Sequence, residues 1–310
     1  MVDVAIESGC DAIKLPTRSV EDSYTDETLQ QPEYRYPKLG NTYGAVLARL
    51  ELSADALREL RDYCVGRISF IAAPYDLVSL EVLKNLNVDA YQLDPPLVRH
   101  QPLLEELGRL GKKMLVCAGM CTERELEAVL DILQHCPVTL LHCVMKECLQ
   151  LDQTALSYIP YFRRRFSCEV GYLGFEAGIH AALAAFTLGA TTIEKKFTID
   201  RDFPGPGHAQ SLDRDELKAL VHGLAALESS LKPCGPRQVL PGELDMFAEQ
   251  GCSLVSARPL KAGTTIQPDM LKVKAASQGV GPHLISWLQG KRLLYDIPAD
   301  APITFGIVRP

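Results

Sequence analysis

The sequence lacks an apolar run of ~18 residues, the length that crosses a bilayer as a helix, so we predict no membrane span. Its start, Met1 followed by VDVAIESGCDAIK, has neither the basic beginning nor the long apolar centre of a signal peptide. These two absences predict a cytoplasmic protein that has no membrane partner.

CxxC pairs are also missing, although the chain has 10 cysteines. Scattered cysteines favour reduced, mostly buried thiols over disulfides or a zinc site. The chain has no basic excess either, and its net charge of -7 argues against nucleic acid as a partner. What remains, 47% hydrophobic and 23% charged residues, is typical of a globular protein with a sizeable core.

Short apolar segments alternate with helical segments along most of the chain. Predicted strands centre near residues 13, 70, 91, 115, 140, 169 and 193. This alternation predicts an α/β fold with a parallel sheet and right-handed crossovers. Because the seven units follow an orphan helix, we expect a TIM-type (β/α)8 barrel that lacks its first strand in this chain. Such a gap exposes strand edges, so we expect an earlier gene start or another segment that fills it.

The composition and the predicted secondary structure of the sequence change after the barrel units. Residues 233–250 begin with a stretch rich in proline and glycine, which predicts a linker. Residues 251–310 contain short β segments joined by tight turns. We therefore predict a barrel domain over residues 1–232, a linker over 233–250 and a small β-rich domain over 251–310.

The stretch Thr191 to Leu212 is the strongest candidate for a functional site. A short β-branched strand leads into Glu194, Lys195 and Lys196, and a Pro-Gly-Pro-Gly loop follows. Parallel α/β barrels carry their chemistry at the carboxyl ends of the strands. Alternation along the strand predicts that Glu194 and Lys196 share one face while Lys195 points to the other.

Several stretches resemble the sialic acid (N-acetylneuraminate) synthase family. The barrel part carries GCDAIKLPT, LVCAGMCTERELEAVL, LLHCV, EVGYLGFEAGIHAALAAFTLGATTIEKKFTID and FPGPGHAQSLDRDEL. The tail SARPLKAGTTIQPDMLKVK resembles the antifreeze-like, or SAF, domain, a β-clip fold that closes these synthases. The resemblance covers almost the whole chain and keeps its order.

The resemblance implies a definite chemistry. Members of this family condense phosphoenolpyruvate with an amino-hexose aldehyde to form a nine-carbon 2-keto acid. A divalent metal, manganese or magnesium, is held by two histidines and polarises the aldehyde. The resemblance also implies a homodimer in which the SAF domain of one chain covers the barrel mouth of the other.

The chain departs from the family at the metal site. The two histidine positions are Phe175 in GYLGFEAG and Lys196 in EKKF. Neither a phenyl ring nor an ammonium group is a metal ligand. We therefore expect no metal cofactor from this sequence.

The positions that would contact substrates have changed as well. A phosphate-binding lysine is replaced by Gln92, and two serines of the phosphoenolpyruvate site are replaced by Pro95 and Leu173. Where the family has polar residues after His142-Cys143, this chain has Val144 and Met145. Ala275 replaces the arginine of the SAF loop. The active site is strongly diverged.

Some of the family's residues survive. Lys14 matches a phosphoenolpyruvate-contacting lysine, and Glu194 matches the strand-end glutamate. We take Glu194 and Lys196 as the candidate catalytic residues. Lys196 would occupy the place of the metal and polarise a carbonyl, or form a Schiff base. The alternative is that Glu194 merely balances a neighbouring lysine in an inactive barrel mouth.

The candidate substrate-binding residues are Lys14, Lys195, Arg201, His142 and His208. The cations among them would offset the charge of a phosphorylated carboxylate if they converge. For Lys14 the alternative is a structural salt bridge, and for His142 a hydrogen-bonded core position.

Two functions follow from these observations. The first is a transferase of surface polysaccharide biosynthesis that condenses phosphoenolpyruvate with an amino-sugar aldehyde. The second is a catalytically impaired or repurposed homologue that acts as a binding or assembly module. The number of replaced site residues favours the second, and the surviving Lys14 and loop favour the first.

Overall fold

A computed structural model describes residues 1–147, 149–232, 235–276 and 278–310. The chain forms two compact units, of which the first ends at Lys232 and the second runs to Pro310. No helix in the described ranges is long and apolar enough to span a membrane. The described cysteines are free thiols.

The first unit is built on a parallel sheet whose seven strands follow one another in chain order. This topology confirms the predicted α/β barrel architecture. The strands are β1 (Ala12–Thr17), β2 (Ser69–Pro74), β3 (Ala90–Leu93), β4 (Lys113–Cys117), β5 (Val138–His142), β6 (Glu169–Gly174) and β7 (Ile193–Lys195). In the described residues no backbone ladder joins β1 to β7, so the sheet stays open between its first and last strands.

The first unit also contains helices, most of which cover the outer face of the sheet. They are α1 (Val2–Ser8), α2 (Val20–Ser23), α3 (Asp26–Leu29), α4 (Tyr43–Leu50), α5 (Ala54–Cys64), α6 (Leu77–Lys84), α7 (Gln101–Leu110), α8 (Glu123–Ile132), α9 (Tyr158–Arg165), α10 (His180–Thr187) and α11 (Arg214–Ser230). The sequence marks several of their ends. Thr122 and Glu125 form a capping box at the start of α8, and Asp213 and Glu216 form one at the start of α11.

Two apolar layers result from the alternation of side chains along the strands. The larger core lies between the sheet and the helices and contains Leu93, Met114, Leu140 and Tyr172, all at most 3% exposed. A smaller cluster lines the inner face of the sheet and includes Cys117, Leu141, Cys143 and Leu173. The inner layer is the floor beneath the carboxyl ends of the strands.

Residues 17–50, between β1 and α5, form an excursion that contains three short helices. These helices are α2, α3 and α4, and Thr42 caps α4 by accepting a hydrogen bond from the Ala45 amide. Arg18 connects this excursion to its surroundings, because it pairs with Glu51 at 2.6 Å and stacks over the ring of Tyr75. The excursion is therefore tied to the carboxyl end of the sheet.

The second unit is β-rich, as predicted, and has its own small core centred on Leu254, Ile266 and Ile303. Its strands β8 (Cys252–Ser256) and β9 (Leu271–Ala275) pair antiparallel, as do β10 (Arg292–Leu293) and β11 (Val308–Arg309). Its helices are α12 (Pro241–Gln250), inside the predicted linker, and α13 (Ile285–Leu288). A 3-10 turn over Pro282–Leu284 precedes α13.

Candidate functional site

Three ionisable side chains meet on the inner face of the sheet at its carboxyl end. Nζ of Lys14, in β1, lies 3.0 Å from Oδ1 of Asp94, which follows β3. The same ammonium group lies 3.5 Å from Oε1 of Glu194, in β7. Because β1 and β7 are the first and last strands, this contact shows that the sheet curls until its two edges face each other.

Two neutral side chains, Gln92 and Tyr75, lie against these charged groups. We call Lys14, Tyr75, Gln92, Asp94 and Glu194 the inner cluster. The amide Nε2 of Gln92 donates to Oδ1 of Asp94 at 2.8 Å and to Oε1 of Glu194 at 3.3 Å. The hydroxyl of Tyr75 donates to Oδ2 of Asp94 at 3.0 Å. Asp94 thus accepts hydrogen bonds from Lys14, Gln92 and Tyr75, which makes it the centre of the network.

Two acceptor atoms of the inner cluster have no hydrogen-bond partner among the described residues. They are Oε1 of Gln92 and Oε2 of Glu194. Gln92 is 0% exposed, so water does not reach it freely. A buried acceptor without a donor costs ~1–3 kcal/mol, so these two atoms destabilise the site unless a donor reaches them.

The electrostatics of the inner cluster keep its charges balanced. Burial disfavours the charge of Lys14, but Glu194 and Asp94 outweigh it and raise the pKa of this lysine. Burial also acts to raise the pKa of Asp94, yet Lys14 and the hydrogen-bond donors lower it overall. For Glu194 burial dominates, and its pKa is raised because Lys14 offsets the effect only in part.

Lys196 lies beside this cluster, immediately after β7. Its Nζ is 5.0 Å from the centre of the Phe175 ring, which is a cation–π distance. The pKa of Lys196 is lowered, mainly because its ammonium group loses hydration and to a smaller extent because the Lys14 cation is near. Asp94 and Glu194 act to raise this pKa. Lys14 and Glu194 are therefore in contact, and Lys196 lies within electrostatic reach of both.

The residues at the expected metal position do not fit a divalent cation. The two positions that the resemblance assigns to histidine ligands carry a phenyl ring and an ammonium group in contact with each other. A phenyl ring offers no lone pair, and an ammonium group is a donor only. Throughout the described ranges, no three His, Cys, Asp or Glu side chains are arranged to hold a metal ion.

Lys195 is separated from the inner cluster by the sheet itself. Its side chain is 2% exposed and lies on the outer face of β7, where Nζ is 2.7 Å from Oε1 of Glu176. It also donates to the backbone carbonyl of Glu176. The hydroxyl of Tyr172 donates to the other carboxylate oxygen of Glu176 at 2.7 Å. We call Lys195, Glu176 and Tyr172 the outer cluster.

Arg201 and His208, both predicted to bind substrate, make contacts near the start of α11 and within the loop. Arg201 donates to the Ser211 carbonyl at 3.1 Å and forms an ion pair with Glu216. Nδ1 of His208 lies 2.8 Å from the hydroxyl of Thr198. Neither residue contacts the inner cluster, and their predicted roles remain predictions.

His142 lies on the outer face of β5. Its Nε2 is 2.8 Å from the Thr154 carbonyl oxygen, and its ring packs among Tyr158, Phe162 and Tyr172. Burial lowers its pKa. These contacts match the core alternative considered for this histidine, and its predicted substrate role is untested.

Sequence reasoning missed Asp94 and Tyr75 as members of the inner cluster. A signal for Asp94 was present, because it comes two residues after Gln92 and so shares its face at the carboxyl end of a strand. Tyr75 directly follows β2 and had no comparable signal. Gln92 was interpreted only as a lost lysine, whereas in the structure it bridges two carboxylates.

Family comparison matches residues 1–234 to the NeuB family and residues 253–308 to the SAF domain. The chain belongs to the NeuB family. Similar NeuB relatives include an N-acetylneuraminate-9-phosphate synthase of Mus musculus, 31% identical over 97% of this chain and 85% of that protein. An N,N'-diacetyllegionaminic acid synthase of Campylobacter jejuni is 27% identical over 94% of this chain and 89% of that protein. These matches confirm the predicted family.

Solved structures of the NeuB family share the fold. The N-acetylneuraminic acid synthetase of Leptospira borgpetersenii, solved in complex with citrate, superposes with a TM-score of 0.70. The superposition covers 80% of this chain and 83% of that one at 23% identity. The predicted combination of a TIM-type barrel and an SAF domain is therefore confirmed.

Proposed function

We propose that the barrel unit binds a small, weakly charged and hydroxyl-rich sugar derivative at the inner cluster and does not condense phosphoenolpyruvate. One observation carries this proposal. Lys14, the surviving lysine of the phosphoenolpyruvate site, is already paired with Asp94 at 3.0 Å and faces Glu194 at 3.5 Å. The chain would thus be a repurposed homologue of sialic acid synthases that acts as a binding module.

The charge balance argues against a phosphorylated acid as the ligand. Phosphoenolpyruvate carries both a phosphate and a carboxylate, so a closed site must supply an excess of cations or amide donors. Here the cations Lys14 and Lys196 face the carboxylates Asp94 and Glu194. A phosphorylated acid would meet two acidic groups where the synthase reaction needs positive charge.

The two unpartnered acceptors support a ligand that donates hydrogen bonds. A sugar hydroxyl or amide N–H would satisfy Oε1 of Gln92 and Oε2 of Glu194 without adding charge. The relatives are named as synthases of sugar acids, which favours a sugar derivative as the ligand class. The inner cluster therefore suits the amino-sugar substrate of the synthase reaction better than it suits phosphoenolpyruvate.

A second candidate is that the condensation survives without a metal. It is favoured by the position of Lys196, whose ammonium group lies beside Phe175 and within electrostatic reach of Glu194. In this case Lys196 would polarise the aldehyde oxygen, and Glu194 would act as acid or base. Lys14 would then have to exchange its carboxylate partners for phosphoenolpyruvate.

The two candidates are separated by measuring phosphate release from phosphoenolpyruvate with a panel of amino-hexoses, with and without Mn²⁺. We expect no release above that of the Glu194→Gln variant. Release that disappears in Glu194→Gln would overturn the binding-module proposal. Isothermal titration of the same amino-hexoses should show binding that Gln92→Leu weakens, because this change removes one of the unpartnered acceptors.

The resemblance supports two further proposals about the whole molecule. One is a homodimer in which the SAF domain of each chain lids the partner's barrel, which light scattering after size-exclusion chromatography would test. The other is a cytoplasmic location, which fractionation of cells that express the native gene would test.

A further inference from the structure

Basic residues outnumber acidic ones in the C-terminal part of a chain that is acidic overall. From residue 251 onward the sequence has seven Lys or Arg and three Asp or Glu, whereas the net charge of the chain is -7. Each of the three acids is paired with a base: Asp269 with Arg258, Asp296 with Lys261 and Asp300 with Lys274. The remaining bases therefore set the charge of this surface.

Three of these remaining bases are close together in the fold. Arg292 and Arg309 stand directly opposite each other in the antiparallel pair β10–β11, and both are exposed. Lys291 precedes Arg292. Within the described residues, none of the three has a carboxylate partner. Like charges directly opposite each other on paired strands are destabilising, so this pair weakens the small unit that carries it.

An exposed aromatic pair adjoins one of these cations, Lys291. Nζ of Lys291 lies 4.3 Å from the centre of the Trp287 ring. The rings of Trp287 and Phe305 meet edge to face at 5.1 Å and are 42% and 58% exposed. We call Trp287, Lys291, Arg292, Phe305 and Arg309 the basic-aromatic patch. Large exposed rings next to unpaired cations are a costly surface unless something covers them.

We propose that the basic-aromatic patch binds an acidic carbohydrate chain. Arginine guanidinium groups bind carboxylates bidentately, and an opposed pair suits carboxylates carried on successive sugar rings. The C–H face of a pyranose ring packs on exposed aromatic rings such as Trp287 and Phe305. This surface lies in the second unit and is independent of the function proposed for the barrel.

Charge density distinguishes this occupant from duplex DNA. Duplex DNA carries one charge per ~1.7 Å, and its binding requires many phosphate contacts. A carbohydrate with one carboxylate per ring is several times less dense in charge, which matches three cations on a protein of net charge -7. The patch therefore complements the sparser polyanion.

Trp287 allows a direct test, because it is the only tryptophan of the chain. The full-length protein is titrated at low ionic strength with polygalacturonate, which has one carboxylate per ring, and its tryptophan emission is followed. We expect a saturable change in emission that weakens as salt is added, since exposed charges are screened within ~10 Å at 0.1 M salt. Dextran, a neutral polysaccharide, should cause no change.

Variants assign the binding to the patch. Arg292→Glu combined with Arg309→Glu should weaken polygalacturonate binding at least about tenfold. Arg258→Glu makes half of this change of charge, at a residue that is already paired with Asp269, and should leave binding within about twofold. Circular dichroism of each variant checks that it is folded.

Three outcomes would overturn the proposal. One is equal binding of dextran, and another is equal loss of binding in Arg258→Glu. The third is tighter binding of an oligothymidine strand or of phosphatidylserine vesicles than of polygalacturonate, which would assign the patch to nucleic acid or to a lipid surface.

Discussion

The two faces of β7 carry the same kinds of charged groups, but these groups differ in burial and in how fully they are hydrogen-bonded. On the outer face, Lys195 and Glu176 are 2% and 1% exposed, and both carboxylate oxygens of Glu176 have donors. On the inner face, Lys14 and Glu194 keep 18% and 19% of their exposure, and Oε2 of Glu194 has no donor among the described residues. The outer cluster is complete by itself, and the inner cluster is not.

This difference separates a structural network from a candidate binding site. A buried ion pair holds a structure in place when every polar atom is satisfied, as in the outer cluster. That pair ties the loop carrying Glu176 to β7, and the same loop presents Phe175 beside Lys196. The unpartnered acceptors of the inner cluster are the atoms that the proposed ligand would complete.

The outer cluster should be the more sensitive of the two to the loss of one partner. Glu176→Ala leaves the Lys195 cation buried without a counter-ion, which is expected to lower the free energy of unfolding by about 3–5 kcal/mol. Urea denaturation followed by circular dichroism measures this change. The double variant Glu176→Leu with Lys195→Met is the control, and it should be far closer to the wild type because no charge is left buried. A loss below about 1 kcal/mol in Glu176→Ala would contradict a closed outer pair.

The inner cluster should tolerate the loss of its cation better. Lys14→Met removes the counter-ion of Asp94 and Glu194, but Gln92 and Tyr75 still donate to the buried Asp94 and Glu194 is partly exposed. We therefore expect a loss of about 2 kcal/mol in the same denaturation experiment. Lys113, at the start of β4, has no ion-pair partner in the described ranges. Lys113→Met should change stability by less than about 0.5 kcal/mol. A loss in Lys14→Met as large as that in Glu176→Ala would erase the contrast between the two faces.

The smallest expected effect is a change in the pH dependence of stability. Because the pKa of Glu194 is raised in the folded state, that state binds its proton more tightly than the unfolded chain does. The resulting stability is present below the ordinary value of 4.5 and is lost as the pH rises through the raised pKa. Glu194→Gln removes this loss, so the variant should gain stability relative to the wild type as the pH increases toward neutral. Denaturation midpoints measured across that range test the sign, and the opposite trend would mean that Lys14 dominates over burial.

Much of the architecture was predictable because it depends on local patterns. Apolar segments at regular spacing predicted the parallel strands, and capping residues such as Thr122 marked helix starts. Strand alternation also predicted that Glu194 and Lys196 face one way and Lys195 the other. The helix α12 was missed because proline and glycine dominate its surroundings, although Pro241 occupies a first turn where proline is favoured.

The partners within the site were less predictable, because they depend on how the sheet curls. Lys14 and Asp94 are 80 residues apart, and Gln92 and Glu194 are 102 apart. No local pattern shows that these side chains meet, and the resemblance gave no sign of the carboxylate partners of Lys14. The resemblance named candidate site residues, and the structure shows which of their charges are already neutralised by ion pairs.

Equilibrium titration of phosphoenolpyruvate into the full-length protein in the presence of Mn²⁺ tests the central claim most directly. If Lys14 is held by Asp94 and Glu194, no saturable binding is expected at millimolar concentrations. Stoichiometric binding that is abolished by Lys14→Met would contradict the account, because it would show that Lys14 leaves its carboxylates for a phosphorylated acid.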